Sequence, residues 1–240
     1  MLTIAYWSTR GLGAPLRMAA HFGGLVDTVD VTYKCYDTGP FPSPDFKKSW
    51  LDSKAGLIGD HPMINLPHLV TPSSLVVQSN ACLYSLARLL DLGGSTEGER
   101  QAVDMVLAQT MDLRNASAIP VFYNGNPSMT PEKHRKYTVV PMYAKLDGFM
   151  AVRGTRFSAS DTVTVADFHL WEMLDQHEMY FEEKELESPL GDFGRLERLH
   201  REMRGREEMR TYFDSKYARL PCNGPHAVNF VGECKQPEPK

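Results

Sequence analysis

The sequence predicts an α/β domain followed by an all-helical domain, and three observations support this. Up to about residue 92, short apolar runs alternate with helical patterns and turn signals. A flexible Gly-Gly-Ser-Thr joint follows at 93–96. Beyond it strand signals nearly vanish and long amphipathic patterns take over. We therefore predict an α/β domain over 1–92, a helical domain over 97–220 and an irregular tail over 221–240.

The N-terminal elements follow from the spacing of apolar residues and from turn chemistry. The predicted strands cover residues 2–6, 29–33, 68–70 and 74–77. The last two are separated by Thr71-Pro72-Ser73, which indicates a hairpin. The predicted helices cover 14–24 and 78–92, with an irregular helix between the second strand and the hairpin.

The C-terminal elements are all predicted helices. They cover residues 97–119, 131–152, 164–181 and 193–213. Pro120 is expected to stop the first, because proline lacks the amide that continues a helix. Thr164 and Asp167 form a capping pattern in which the carboxylate reaches back to free amides at the helix start.

Composition and charge exclude several function classes. The net charge is −4, the opposite of a protein that neutralises phosphates, and six arginines over 195–210 are interleaved with glutamates. No apolar run approaches the ~20 residues that span a bilayer, and the N-terminus lacks a signal-peptide pattern, so we expect a cytoplasmic protein. The four cysteines form no C-x-x-C pair, and the histidines form no metal-ligand spacing, so we expect reduced thiols and no metal.

Four short motifs occur in a definite order. They are Tyr6-Trp7-Ser8-Thr9-Arg10-Gly11-Leu12, Trp50 with Lys54, Asn65-Leu66-Pro67, and Gln78-Ser79-Asn80. In this order and spacing, over residues 1 to about 215, the chain resembles a cytosolic glutathione transferase, most closely the mu class. The resemblance implies a thioredoxin-like N-terminal domain with a mixed four-stranded sheet, an all-helical second domain, a homodimer, and glutathione as co-substrate with no cofactor.

The resemblance assigns two motifs to the backbone and the anionic end of glutathione. A cis Leu66–Pro67 bond would present the Leu66 N–H and C=O to the cysteinyl backbone, like an added strand; the alternative is an ordinary trans proline. Gln78 and Ser79 open a helix, whose free amides and dipole form an anion site for the γ-glutamyl carboxylate. Alternatively, Ser79 only caps that helix.

The glycyl end of glutathione is assigned by the same resemblance to Trp50, Lys54 and Lys47; otherwise Trp50 covers the core and the lysines are solvated. Asp112 matches a residue that the mu class lends across its dimer to the γ-glutamyl amine, or else it pairs with Arg114 on the surface. The full set predicted to bind glutathione is Trp7, Leu12, Lys47, Trp50, Lys54, Asn65, Leu66, Pro67, Gln78, Ser79 and Asp112.

Tyr6 is the candidate catalytic residue. A thiol with a pKa near 8.5 is only a few per cent ionised at pH 7, and lowering that pKa by ~2 units requires about 2.7 kcal/mol of preferential stabilisation. A phenol that donates a hydrogen bond to the sulfur in a desolvated pocket can supply this. The resemblance makes Tyr6 that donor, and Ser8 is the competitor. No cysteine lies in the loop after the first strand, which disfavours thiol redox chemistry.

The predicted reaction joins the glutathione thiolate to a hydrophobic electrophile. Candidate residues for the second-substrate pocket are Leu12, Met111 and Tyr123. Residues 37–44, 55–63 and the tail depart from the family pattern, so the identity of the electrophile is the least transferable property. Alternatives are a glutathione-dependent isomerase or peroxidase, or a non-catalytic protein of the same fold that binds glutathione or hydrophobic ligands.

Overall fold

The computed structural model describes residues 1–123, 125–126 and 128–234. Its four strands are β1 (Leu2–Trp7), β2 (Val31–Tyr36), β3 (His68–Val70) and β4 (Leu75–Val77). They form one sheet in the spatial order β2-β1-β3-β4. β1 is parallel to β2 and antiparallel to β3, and β3 is antiparallel to β4, so the sheet is mixed, as the resemblance implied.

Nine α-helices lie in the part of the chain that the structure describes. They are α1 (Ala14–Phe22), α2 (Lys48–Leu57), α3 (Ser79–Leu90), α4 (Glu97–Ser117), α5 (Pro131–His134), α6 (Val140–Arg153), α7 (Val165–Glu183), α8 (Gly194–Gly205) and α9 (Glu207–Phe213). The predicted fold class is confirmed, because helices accompany the sheet up to α3 and only helices follow. None of the described helices is long and apolar enough to cross a membrane.

The second strand lies later in the chain than predicted. A turn places Thr28 in the left-handed region with φ of 66° and leaves the Val29 side chain 66% exposed. The Asp30 amide donates to the Val26 carbonyl at 2.9 Å within this turn. The apolar pattern that began at residue 29 therefore belongs partly to a turn, and β2 continues to Tyr36.

Two predicted helices are interrupted by π-helical turns near prolines. α4 ends at Ser117, and a π-helical segment then runs from Ala118 to Tyr123 through Pro120, so this proline does not stop the helical path. A second π-helical segment, Arg135–Val139, joins α5 to α6 just before Pro141. Proline cannot donate an i→i−4 bond, and the wider turn carries the chain past the missing donor.

The last predicted helix is two helices. The break lies between α8 and α9, where Arg206 is extended with ψ of 136°. Gly205 precedes this break, and glycine is the residue that weakens a helix interior. The predicted irregular tail contains no helix or strand over residues 221–234, and residues 235–240 lie outside the described part of the chain.

The predicted capping pattern at α7 is confirmed. The Asp167 carboxylate accepts the Thr164 amide at 2.8 Å and the Thr164 hydroxyl at 3.0 Å. Its other oxygen accepts the Ser158 amide at 2.8 Å. One buried carboxylate therefore fixes both the start of α7 and the loop before it.

The two domains share one core. α1 packs against α3 beside the sheet and against α7 and α9 of the helical domain, and the main buried cluster is continuous across them. A smaller cluster of Ala5, Tyr36, Trp50 and Ile64 fills the other face of the sheet. The loop between β1 and α1 lies at the domain junction and carries the first predicted site residues.

Candidate active site

Tyr6 lies near the end of β1 and its ring fills a turn made of glycines. A Cβ at Gly11 would lie 2.8 Å from the Tyr6 hydroxyl, and one at Gly13 would lie 2.5 Å from its Cδ1. Tyr6 is only 6% exposed, and its hydroxyl has no hydrogen-bond partner among the described residues. The glycines thus let the chain fold closely around the phenol while leaving its donor free.

Arg17, which was not among the predicted site residues, supports the same loop from α1. Its guanidinium donates to the Thr9 carbonyl at 2.8 Å and to the Trp7 carbonyl at 3.0 Å. It also lies 6.0 Å from the centre of the Tyr6 ring. An arginine within the otherwise apolar run of residues 14–20 was the sequence signal that could have identified it, and the side chain is fully buried.

The Leu66–Pro67 peptide bond is cis, as predicted, and a second cis bond, Phe41–Pro42, was not foreseen. The Leu66 N–H and C=O form no hydrogen bonds with other described residues. Leu66 lines a cavity of about 390 Å³. The predicted residues that line this cavity are Leu12, Asn65, Leu66, Pro67, Gln78, Ser79 and Met111. Three further residues line the cavity without having been predicted for the site: Asn80, Arg114 and Asn115.

The N-terminus of α3 opens into this cavity. Gln78 has a φ of 72°, an uncommon value for a side chain with a Cβ, and forms no side-chain cap. Ser79 is the first helical residue, and the structure records no capping bond from its hydroxyl, so the alternative of a simple cap is not observed. The first helical amide that donates backward is that of Cys82, to the Gln78 carbonyl at 2.9 Å. The earlier amides are free, in the described structure, to bind an anion.

The residues predicted for the glycyl end are spread around α2. Trp50 is 3% exposed and packs edge-on against Tyr36, with ring centres 5.1 Å apart, so its ring forms part of the core. Lys47 and Lys54 are half-buried, and neither forms an ion pair with a described carboxylate. The Lys47 ammonium lies 4.7 Å from the centre of the Phe46 ring. Trp7 is half-buried and packs against the same small core cluster as Trp50.

Asp112 is exposed on α4 and has no ion-pair or hydrogen-bond partner within the described chain. The alternative of a surface pair with Arg114 is not observed, because the Arg114 guanidinium donates instead to the Asn115 side chain at 3.1 Å. Within the described chain, the Asp112 carboxylate is therefore not used by another side chain.

Tyr123 is separated from the other two residues predicted for the second-substrate pocket. Leu12 and Met111 line the cavity beside Leu66, whereas the Tyr123 ring contacts His226 of the tail, with ring centres 4.7 Å apart. Burial raises the pKa of Tyr123 to about 12, with a further contribution from Tyr6. Tyr123 is thus an un-ionised phenol near the candidate sulfur ligand.

Comparison with known proteins identifies relatives of this chain. A family model for the glutathione S-transferase C-terminal domain matches residues 111–216. Glutathione S-transferase Mu 1 of Oryctolagus cuniculus is 33% identical over 230 residues, which cover 92% of this chain and 94% of the relative. Glutathione S-transferase Mu 1 of Mus musculus is 38% identical over 183 residues, covering 75% of this chain and 77% of the relative.

Solved structures show the same fold at lower identity. The glutathione S-transferase Blo t 8 superposes with a TM-score of 0.78 at 23% identity, covering 96% of this chain and 100% of that one. The pi-class enzyme of Onchocerca volvulus gives 0.73 at 23% identity, covering 94% and 98%. The mu-class relatives, matched over most of their length, identify the family. This chain belongs to the cytosolic glutathione transferases and is most like the mu class.

Proposed function

We propose that this protein conjugates glutathione to hydrophobic electrophiles and that the Tyr6 hydroxyl donates a hydrogen bond to the glutathione thiolate. Membership of the family supports the activity. The observation that carries the assignment to this site is the cavity of about 390 Å³ in which the free Leu66 backbone meets the α3 N-terminus. Leu12 lines the same cavity and follows Gly11, the residue that covers the Tyr6 hydroxyl.

Each end of glutathione has a chemically suitable partner in this proposal. The free amides and the dipole of α3, with Gln78 and Ser79, receive the γ-glutamyl carboxylate. The Leu66 N–H and C=O, next to Asn65 and Pro67, pair with the cysteinyl backbone as an added strand does. Lys47 and Lys54 receive the glycyl carboxylate, although Lys47 offers a point charge rather than a fork.

Catalysis then depends on lowering the thiol pKa and on holding two reactants together. The sulfur forms a new bond to carbon, and either a leaving group departs or a double bond accepts the electron pair. Glutathione is a co-substrate in this scheme, and this chain supplies hydrogen bonds and position.

Substitution of Tyr6 by Phe tests this proposal. We expect kcat/KM with chlorodinitrobenzene to fall by roughly 10- to 100-fold, because the ~2.7 kcal/mol that favours the thiolate is lost. The ultraviolet absorbance of enzyme-bound thiolate should rise at a higher pH, and the KM for glutathione should stay within about twofold.

The matched control is Ser8→Ala, which removes the competing hydroxyl from the same loop. Its kinetics should resemble those of the wild type. If Ser8→Ala loses the thiolate signal and Tyr6→Phe keeps it, the serine is the donor. If the wild type is retained on a glutathione resin yet conjugates no electrophile of a broad panel, the protein is a binding protein of this fold.

We also infer a homodimer in the cytoplasm, with the domain division at residues 92–97 predicted above. Exposed Asp112, without a described partner in its own chain, supports a role across the dimer. Asp112→Ala should raise the KM for glutathione several-fold and leave kcat nearly unchanged, because it removes binding rather than chemistry. Sedimentation should show an unchanged dimer; a monomeric wild type with full activity would contradict the inference.

A further inference from the structure

A second cavity lies between α7, α8, α9 and the tail. Its volume is about 410 Å³, which is within the range of small-molecule sites. On α7 it is lined by Trp171, Asp175 and Met179, which are spaced four residues apart and so share one face of the helix. We call it the α7–α9 cavity. None of the described residues that line it also lines the cavity beside Leu66, so the two are separate sites.

Aromatic rings from three parts of the fold line the α7–α9 cavity. They belong to Trp171 on α7, to Tyr212 and Phe213 on α9, and to Phe230 of the tail. The ring centre of Phe213 lies 5.1 Å from that of Trp171 and 5.5 Å from that of Tyr212, so these three rings form a continuous surface. Aromatic surfaces pack well against other flat rings, face to edge or offset. The walls of the cavity therefore favour a flat aromatic occupant.

Arg10 also lines the cavity, and one of its nitrogens lacks a strong acceptor. The side chain is 5% exposed, and its Nε and Nη2 donate to the carboxylates of Glu172 and Asp175. Among the described residues, Nη1 has only the Met179 sulfur as an acceptor, at 3.6 Å. A thioether sulfur accepts weakly, whereas Nη1 carries two N–H groups. Since Arg10 and Met179 both line the cavity, an oxygen of a bound molecule can accept the hydrogen bond that the sulfur satisfies poorly.

The charge around the cavity favours a neutral oxygen over an anionic one. Among the described residues, four carboxylates and two guanidiniums line it, those of Asp175, Glu182, Glu183 and Glu233 and those of Arg10 and Arg204. Even with His200 protonated, this lining is net negative, and Glu172 adds a carboxylate 2.8 Å from the Arg10 guanidinium. A further carboxylate would lie among like charges, which costs free energy. A carbonyl oxygen accepts from the guanidinium without adding charge.

We propose that the α7–α9 cavity is a second small-molecule site, which binds a neutral, flat aromatic compound whose carbonyl oxygen accepts a hydrogen bond from Arg10 Nη1. The rings of the walls contact the faces or edges of the occupant, and Arg10 fixes its polar end. Arg10 belongs to the loop after β1 and contacts α7, so the occupant binds at the junction of the two domains. The inference goes beyond the proposed function and does not depend on it.

Three matched probes test the chemistry of the site in the wild-type protein: naphthalene, 2-acetylnaphthalene and 2-naphthoate. Equilibrium dialysis measures their affinities with S-hexylglutathione present in excess, so that the candidate active site is occupied. We expect 2-acetylnaphthalene to bind roughly tenfold more tightly than naphthalene, because only the ketone accepts from a charged donor. 2-Naphthoate should bind more weakly than the ketone. Equal affinities of ketone and naphthalene, tighter binding of the naphthoate, or displacement of the ketone by S-hexylglutathione would overturn the proposal.

Two variants locate the bound ketone. Ala218 is half-buried and lines the cavity, so Ala218→Phe fills part of it and should weaken binding of 2-acetylnaphthalene about tenfold or more. Ala151→Phe makes the same change at an exposed position of α6 outside the lining and should bind like the wild type. Arg204→Met removes the other guanidinium of the lining, which is exposed, and should keep the preference for the ketone over naphthalene. Unchanged affinity in a folded Ala218→Phe, or loss of that preference in Arg204→Met, would contradict the site or the role of Arg10.

Discussion

At the scale of single residues, one buried guanidinium shapes the loop that carries the candidate thiolate donor. Arg17 is fully buried and bonds two carbonyls on either side of Ser8. Its guanidinium also donates to the Cys35 sulfur at 3.7 Å and lies close to the rings of Tyr6 and Tyr217. A buried charge is tolerated where it donates hydrogen bonds to buried acceptors that have no other donor. Here those acceptors are the backbone oxygens of a sharp turn.

Arg17→Met should weaken both stability and catalysis. It leaves the Trp7 and Thr9 carbonyls without their donor, at about 1–3 kcal/mol each where buried. The loop then holds Tyr6 less firmly, and we expect kcat/KM with chlorodinitrobenzene to fall by roughly tenfold. Urea unfolding and steady-state kinetics measure the two effects. Arg210→Met, at a side chain 70% exposed, should change neither; an unchanged Tyr6 environment in Arg17→Met would contradict the argument.

Sequence motifs could predict those candidate site residues whose positions follow from a single secondary-structure element. Leu66, Gln78 and Ser79 come together in one cavity because each lies at the start of an element whose type the pattern indicated. The α7–α9 cavity could not be predicted this way, since the contact of Arg10 with α7 joins residues 165 positions apart in the chain. Trp50 shows a different limit. A tryptophan four residues before a lysine is compatible with a contact to glutathione or with a position in the core, and the ring of Trp50 lies in the core.

At the scale of elements, strand and helix types were predictable and their ends were less so. Pro120 was predicted to stop a helix and Pro141 was placed inside one, but at both prolines the path of the chain depends on the surrounding packing. Phe122 lies in the widened turn and is 1% exposed, so burial of this ring accompanies the π-helical path. The start of α7 was predictable because its cap is encoded within four consecutive residues.

Asp167→Ala should destabilise the protein through the start of α7. The carboxylate is fully buried and satisfies the amides of Ser158 and Thr164. Leaving both unsatisfied costs about 2–5 kcal/mol in the free energy of unfolding. Chemical denaturation checks this value. Asp161→Ala is the control, because Asp161 accepts an exposed Arg156 amide and its loss should cost less than about 1 kcal/mol; equal losses would refute a special role for the cap.

At the scale of the whole molecule, buried polar groups hold the two domains together. The Arg10 guanidinium, in the loop after β1, contacts Glu172 at 2.8 Å and Asp175 at 2.6 Å on α7. His200 on α8 contacts Asp175 at 3.2 Å. Burial, the largest single effect, would raise the pKa of Asp175, but Arg10 and His200 together outweigh it and hold that pKa well below its usual range. Asp175 therefore stabilises the fold above the unfolded pKa, near 3.9, and this contribution is lost in acid.

Three buried histidines make the free energy of unfolding depend on pH below about 6.5, a less acidic range than that of Asp175. Burial lowers the pKa of His134 to about 4 and that of His169 to about 3, and it holds the pKa of His177 well below 6.5. Below pH 6.5 the unfolded chain binds protons that the folded chain does not, so the free energy of unfolding falls as pH falls. Asp167 and Glu172, whose pKa values are raised by burial, act in the opposite direction and reduce the net slope.

The substitution His134→Phe tests how much one of these histidines contributes to the pH dependence of stability. Neither ring nitrogen of His134 has a hydrogen-bond partner among the described residues, and the ring lies beside Phe122 and Phe181, so an apolar ring suits the site. An unfolded-state histidine is half protonated at pH 6.5 and almost fully protonated at pH 5, so its contribution approaches about 1.4 kcal/mol per pH unit. Between pH 6.5 and 5 the variant should therefore lose about 1.6 kcal/mol less than the wild type. Urea unfolding at fixed protein concentration measures this difference. A wild-type slope in His134→Phe would mean that His134 becomes protonated in the folded protein.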